Sequence, residues 1–125
     1  MRTAICRLPD GELEVMQAVW ACPVPCSRKE IEEVLFPVHK MAETTLLTML
    51  SRLADKGFLE IHKEGRISVY TPLISREDYL ASQGSRFFSK LCGGKISALA
   101  SALCSSGLTK EELDELRRLL EEDSL

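Results

Sequence analysis

The sequence predicts a mainly α-helical chain that carries one small β-hairpin, and three observations support this fold class. Apolar residues recur at helical spacing in several segments, three of which begin with Ser or Thr followed three positions later by Glu or Asp. Residues 58–72 alternate apolar and polar side chains around Glu64-Gly65, which is a tight-turn signal. Residues 44–57 form an amphipathic helical pattern that runs directly into this hairpin.

The first two helices follow from their start signals. The first is predicted to begin with Asp10 as its N-cap and to bury the side that carries Trp20, the single tryptophan. Residues 21–26 contain two prolines and are predicted to form a turn. A capping box at 27–30 is predicted to start the second helix. Residues 36–40 are predicted to form the turn that leads into the third helix.

The third helix has two unlike faces. Its apolar side is predicted to face a core and consists of Leu46, Met49, Leu50 and Leu53. The opposite side carries short hydroxyls and one forked donor, namely Thr44, Thr45, Thr48 and Arg52. These side chains suit the major groove of DNA, because threonine can bond a base edge or touch a thymine methyl and arginine can bond guanine or phosphate. Gly57 is predicted to end the helix in a left-handed conformation.

The hairpin after the third helix completes a winged helix-turn-helix. Lys63 and Arg66 flank its tip, where cations can lie close to phosphates and position the helix without reading sequence. Helix, helix, turn, helix and cationic hairpin, in that order, predict a DNA-binding domain over residues 1–73.

A C-terminal helical region over residues 74–125 is predicted to mediate dimerisation. Its helices have too much apolar surface to be soluble alone and too little bulk for a separate core, so two copies packed together would bury that surface. The predicted dimerisation residues are Tyr79, Phe87, Phe88, Leu91, Ile96, Leu99, Leu103, Leu113, Leu116 and Leu120. The alternative is that these helices fold back onto the first domain of a monomer.

Composition fits a cytoplasmic protein with an unusual charge for a DNA-binding protein. The chain has 125 residues, a formal charge of −3, no secretory start and no apolar run long enough to cross a membrane. Residues 40–66 carry five cations against four acids, although DNA affinity normally depends on phosphate neutralisation. This balance keeps a second interpretation open, a winged-helix module that binds another protein.

The five cysteines leave a third interpretation, a thiol or metal sensor on the same fold. Cys22 and Cys26, or Cys92 and Cys104, would form the switch, and Cys92 is singled out because Lys90 and Lys95 lie near it. An odd cysteine count without a signal peptide argues against a disulfide framework, and neither histidine has ligand-like spacing to Cys22 and Cys26. We therefore expect reduced thiols, no metal and no cofactor.

An enzyme is not predicted, because no phosphate-binding glycine loop and no recognisable catalytic histidine spacing occur.

Four groups of residues carry a resemblance to a known family. They are Leu13–Met16 with Trp20, Thr45–Leu53 with Lys56-Gly57, Lys63–Arg66 with Tyr70 and Pro72–Ser75, and Leu108–Leu113 with Glu115-Leu116. Together they resemble the repressors of β-lactamase and methicillin-resistance operons, which are related to copper-operon repressors. The resemblance implies a homodimeric winged-helix repressor on an inverted-repeat operator, which reads DNA through Thr44, Thr45, Thr48 and Arg52 and contacts it with Lys63 and Arg66 at the wing. It also implies a membrane-bound sensor of antibiotic and relief of repression by proteolysis in the dimerisation segment.

The sequence departs from this family at several positions. Thr44 and Leu47 stand where the family carries basic residues, Glu43 is acidic, and no aromatic residue lies near Met41. The cysteine cluster of the copper-operon repressors is absent from the C-terminus, which argues against copper sensing by that route. The family's cleavage point aligns near Ser101-Ala102, where its asparagine–aromatic pair is missing.

Overall fold

The structure, a computed structural model, describes residues 5–123 and confirms the predicted fold class. Within these residues, six helices accompany a three-stranded antiparallel sheet with strand order β1-β3-β2. The elements are α1 (Asp10–Ala21), β1 (Cys26–Ser27), α2 (Arg28–Leu35), α3 (Glu43–Asp55), β2 (Leu59–Glu64), β3 (Ile67–Pro72), α4 (Arg76–Lys90), α5 (Ile96–Ser105) and α6 (Lys110–Asp123). No helix among the described residues has the length and apolar character needed to cross a membrane.

The chain divides into two compact units, Met1–Gln83 and Gly84–Leu125. The first unit therefore extends past residue 73 into α4, because Tyr79 belongs to its core. The Tyr79 ring is 5% exposed, packs against Phe58 and Trp20, and its hydroxyl accepts a hydrogen bond of 3.0 Å from the backbone N–H of Leu8. A functional division between residues 73 and 74 stays a prediction.

The core of the first unit lies between α1, α2, α3 and the hairpin. Its fully buried side chains share helical or strand spacing and include Val15, Met16, Val19, Ile31, Leu35, Leu46, Leu50, Leu53, Phe58 and Leu59. The start of α1 lies close against α3, since a Cβ added at Gly11 would approach the Met49 Cε to 2.8 Å. The prediction of Asp10 as N-cap is wrong: Pro9 holds that position, and Asp10 is the first helical residue. Its carboxylate there complements the positive end of the helix dipole.

The capping box that starts α2 is confirmed. The Ser27 hydroxyl accepts a hydrogen bond of 3.3 Å from the Glu30 N–H, and the Glu30 carboxylate accepts one of 2.8 Å from the Ser27 N–H. The turn predicted over residues 21–26 ends differently, because Cys26 and Ser27 form β1 and pair with Tyr70 and Val69 of β3. A strand of two residues has no periodicity that sequence reasoning could detect.

The hairpin follows α3 as predicted, with one shift at its tip. Gly57 has a φ of +83° just after α3, in the left-handed region that favours glycine. The register pairs Glu64 with Ile67, so the two-residue turn is Gly65-Arg66 rather than the predicted Glu64-Gly65. Gly65, with a φ of +67°, occupies the first turn position, where a positive φ is required in tight hairpins.

An ion pair between a buried carboxylate and a partly exposed ammonium ties α1 to the end of α3. The Glu12 carboxylate, whose side chain is 6% exposed, lies 2.5 Å from the Lys56 ammonium at the C-cap of α3. The positive charge of Lys56 is also stabilised at this position, because the C-terminal end of a helix carries the negative end of its dipole. The pair therefore holds the C-terminal end of α3 against α1, while the polar face of α3 remains exposed.

The second unit contains α5, α6 and the last part of α4. Gly93 and Gly94, both with positive φ, separate α4 from α5. The predicted capping box at the start of α6 is confirmed, since the Thr109 N–H donates to the Glu112 carboxylate at 2.9 Å and the Glu112 N–H donates to the Thr109 hydroxyl at 3.1 Å.

We expect Lys56→Met to lower the free energy of unfolding by about 2 kcal/mol, because it leaves the buried Glu12 carboxylate without its partner. Urea denaturation of the full chain measures the change, and the exposed Lys63→Met is the matched control. The double variant Glu12→Leu/Lys56→Met should recover most of the loss, since no unpaired charge then remains buried. Equal stability of Lys56→Met and wild type would contradict this role for the pair.

Candidate nucleic-acid interface

Helix α3 presents a continuous polar face to solvent. Leu46, Leu50 and Leu53 are buried, so the 100° rotation per residue places Thr44, Thr48 and Ser51 on the opposite side, where all three are exposed. Thr45 and Arg52 are also exposed and flank this face on one edge. The four helix residues predicted to face DNA therefore share one accessible surface. Ser51 was missed by the sequence prediction, although the same spacing from Thr44 and Thr48 would have found it.

The Thr48 hydroxyl is turned toward its own helix. It donates a hydrogen bond of 2.9 Å to the backbone carbonyl of Thr44, one turn earlier. Threonine commonly forms this bond inside helices. The proton of this hydroxyl is therefore not free for a ligand, whereas its lone pairs remain able to accept.

The wing places its two cations at the hairpin tip. Lys63 and Arg66 are both exposed; Lys63 pairs with Ser68 across the hairpin, and Arg66 lies in the turn itself. Extended cations at an exposed tip can approach phosphates with little steric restriction. The acidic Glu64 lies between them in sequence, and Glu60 lies on the same strand.

An open groove of about 500 Å³ lies between α2, α3 and the wing. Arg28 and Lys29 line it from the first turn of α2, Leu47 from α3, and Arg66 and Ile67 from the hairpin. Sequence reasoning missed Arg28 and Lys29, although they directly follow the capping residue Ser27 and a helix start attracts anions. The groove brings a helix face and a wing cation to one surface.

Arg28 is already paired with carboxylates inside the protein. Its guanidinium contacts the Glu43 carboxylate at the first residue of α3, and its Nε lies 3.4 Å from the Glu32 carboxylate one turn along α2. The Arg28 side chain is 34% exposed and that of Glu43 is 53% exposed. Glu43 therefore offsets the charge of one of the cations that line the groove.

The cysteine pair of the sensor interpretation is buried. Cys22 and Cys26 are 7% and 0% exposed. Burial raises the pKa of both thiols, that of Cys26 to about 12, and the neighbouring Cys22 adds to the rise at Cys26. Their Sγ atoms point to the carbonyl oxygens of Glu30 and Tyr70 at 3.5 and 3.6 Å. Such thiols stay protonated, and reactive cysteines are thiolates.

The other cysteines differ in exposure. Cys92, singled out for its neighbouring lysines, is 7% exposed, whereas Cys6 and Cys104 are exposed. All five are free thiols. Over residues 5–123 no group of three or more His, Cys, Asp or Glu side chains is arranged to hold a metal ion.

The predicted dimerisation residues fall into three groups. Tyr79 is corrected: it is buried in the core of the first unit and has no surface to offer a second chain. Exposed in the single chain are Phe87, Leu91, Ile96 and Leu120. Half-buried are Phe88, Leu99, Leu103, Leu113 and Leu116.

Together, the buried apolar side of α3, its exposed hydroxyl and arginine face, and the adjacent cationic hairpin define a winged-helix DNA-binding regulator.

Comparison with known proteins identifies the kind of regulator. The family model described as Penicillinase repressor matches residues 8–122. The chain is 36% identical to the penicillinase repressor of Bacillus licheniformis, over 93% of this chain and 91% of the relative. It is 27% identical to the methicillin resistance regulatory protein MecI of Staphylococcus aureus, over 90% of this chain and 92% of the relative.

Solved structures agree with this relationship. The solution structure of the DNA-binding domain of the repressor BlaI superposes with a TM-score of 0.52 at 39% identity, over 63% of this chain and 94% of that one. The monomeric form of Bacillus licheniformis BlaI, solved in complex with the blaP half-operator, gives a TM-score of 0.50 at 41% identity, over 60% of this chain and 90% of that one. The chain belongs to the penicillinase repressor family, which consists of DNA-binding transcriptional repressors rather than a class of enzymes. The resemblance predicted from the sequence is confirmed.

We expect Cys22 and Cys26 of the native protein to react with iodoacetamide at pH 8 at least about a hundredfold more slowly than the exposed Cys6 and Cys104. The reaction at Cys26 should accelerate as pH rises toward its pKa of about 12, because only the thiolate attacks. Peptide mass spectrometry of the alkylated protein gives the rate at each site. The urea-unfolded chain is the control and should react at all five cysteines. Fast alkylation of native Cys22 or Cys26 would revive the sensor interpretation.

Proposed function

We propose that this chain represses transcription by occupying an inverted-repeat operator as a homodimer, with one winged helix on each half-site. The observation that carries the proposal is the shared surface formed by the exposed face of α3 and the cationic wing. The relative solved in complex with the blaP half-operator, at 41% identity, supports DNA binding by this chain.

Each part of the surface has its own task in this proposal. Thr44, Thr45, Thr48 and Arg52 of α3 would enter the major groove, where base edges carry a distinct pattern of donors, acceptors and methyl groups. Lys63 and Arg66 would contact phosphates, which fixes the position of the helix without reading sequence. The buried side of α3 keeps its orientation constant while the other side meets the DNA.

The second unit supports dimerisation through its uncovered apolar surface. Among its described side chains Cys92 alone is buried, whereas Leu91, Ile96 and Leu120 are 76%, 70% and 61% exposed. Several large apolar side chains left in water within one small unit are typical of a surface that another chain covers. We propose that a second copy covers it, because most homo-oligomers are two-fold symmetric and an inverted-repeat operator has the same symmetry.

Coupling of the two half-sites explains how weak contacts can hold an operator. Once one winged helix is bound, the second contact forms at a high effective concentration, which raises the overall affinity without new contacts. Any event that separates the second units would then release DNA and leave α3 unchanged. Proteolysis linked to a membrane sensor would act in this way. Ser101 and Ala102, near which the resemblance predicts the cleavage point, lie exposed within α5, although they lack the asparagine–aromatic pair of the family.

We expect the double variant Leu91→Glu/Ile96→Glu to bind the full operator about a hundredfold more weakly than wild type, because it loses the coupling between half-sites. Fluorescence anisotropy with DNA from upstream of the chain's own gene measures the affinity, and analytical ultracentrifugation measures the oligomeric state. Binding to a single half-site should not change, since neither residue lies in the winged helix.

The exposed polar residues Ser97 and Ser105 provide the control, because Ser97→Glu/Ser105→Glu adds the same two negative charges without removing an apolar side chain. A monomeric wild-type chain, or a monomeric variant with full operator affinity, would contradict the dimer. Weak wild-type binding that is equal on any DNA would contradict the repressor function itself.

We expect Glu43→Gln to tighten DNA binding by up to about eightfold at about 0.1 M salt, because it frees Arg28 for a phosphate and removes a like charge from the interface. The dependence of log K on log salt should steepen by about 0.9, the value for one added phosphate contact. A salt series by anisotropy measures both. Glu77→Gln, the same charge change at an exposed position of α4, is the control. Unchanged affinity and slope would show that Arg28 does not reach the DNA.

A further inference from the structure

The face of α3 is less polar than its sequence indicates. The Thr48 hydroxyl is held by the Thr44 carbonyl at 2.9 Å, and the tetrahedral geometry of Cβ then directs the Thr48 methyl group away from that carbonyl. Thr48 lies on the side of α3 opposite the buried leucines. At this position the helix therefore presents a methyl group together with an oxygen that can only accept.

Leu47 exposes a larger apolar group on the adjoining edge of α3, about 100° around the helix from Thr48. Its side chain is 40% exposed on α3, although Leu46 and Leu50 on the same helix are almost completely buried. It lines the open groove together with Arg66 and Ile67 of the wing. A leucine that the core leaves uncovered at this place adjoins the surface proposed to meet DNA.

One chemical group in the major groove matches such a surface. Each base pair presents donors and acceptors there, and thymine alone adds an apolar group, its C5 methyl. Contact between apolar side chains and this methyl removes both from water, whereas cytosine or uracil at the same place offers no methyl to cover.

We propose that Leu47 and Thr48 are specificity-determining residues that read thymine through its C5 methyl group. The inference rests on the proposed function and deepens it by naming a base that α3 selects. Arg52 and the wing cations supply hydrogen bonds and phosphate contacts, while Leu47 and Thr48 discriminate by apolar contact.

The test uses duplexes selected by the full wild-type chain from a random-sequence pool. Each thymine of the selected site is replaced in turn by deoxyuridine, which removes the methyl and keeps the base pair. We expect the affinity to fall about fourfold at each read position, the worth of one buried methyl group. Fluorescence anisotropy at constant salt measures each duplex.

Two substitutions at residue 48 separate the methyl from the hydroxyl. Thr48→Ser keeps the hydroxyl and removes the methyl, and we expect it to bind thymine and uracil equally at one read position. Thr48→Val keeps a methyl and removes the hydroxyl, and we expect it to retain the fourfold discrimination. Leu47→Ala should lose discrimination at a different position. These side chains are exposed, and thermal unfolding followed by circular dichroism checks that each variant folds.

This test distinguishes failure of the thymine-methyl inference from failure of the proposed repressor function. A well-defined selected site that uracil never weakens, or Thr48→Ser with undiminished discrimination, would overturn the methyl reading and leave the repressor intact. Failure of the wild-type chain to select any preferred duplex would overturn the repressor and the inference together.

Discussion

Burial of one side of α3 governs the rest of this molecule. Leu46, Leu50 and Leu53 are removed from water against α1 and the hairpin, which contributes several kcal/mol by the usual scale of about 1.5–3 kcal/mol for each large apolar side chain. Because a helix is rigid, this burial also fixes the direction of the opposite side. The Glu12–Lys56 pair holds the end of the same helix, so its exposed face is positioned without any contribution from the exposed residues themselves.

The electrostatics of the interface follow from a different constraint, the small number of cations. Arg28 contacts Glu43 and lies near Glu32, so part of the positive charge near the groove is offset within the protein. Phosphate attraction is then modest for one winged helix, and in the proposed mechanism the coupling of two winged helices supplies the remaining affinity. The weakly charged binding unit and the apolar second unit are therefore complementary features of one proposed mechanism. Because one winged helix would bind weakly alone, separation of the dimer would be sufficient to release the operator.

The buried thiols illustrate how packing decides chemistry. Cys22 and Cys26 have a spacing that allows a metal or redox role, yet both are enclosed, and burial raises the pKa of Cys26 to about 12. Cys26 instead belongs to β1 and pairs with Tyr70. In the second unit several large apolar side chains, including Leu91 and Ile96, remain exposed, and the proposed second copy would cover them. Tyr79, by contrast, is held in the first unit by Leu8, Trp20 and Phe58.

Local patterns in the sequence determined the helices, the capping boxes at Ser27 and Thr109, the hairpin and the faces of α3, because these depend on periodicity and on residues a few positions apart. The same patterns were sufficient to place the chain in its family. Only the tertiary structure decided that Cys26-Ser27 joins the sheet, that Tyr79 belongs to the first core, that Arg28 contacts Glu43, and that Arg28 and Lys29 line the groove. These contacts join residues distant along the chain, and their formation depends on how the helices pack, which no local pattern records.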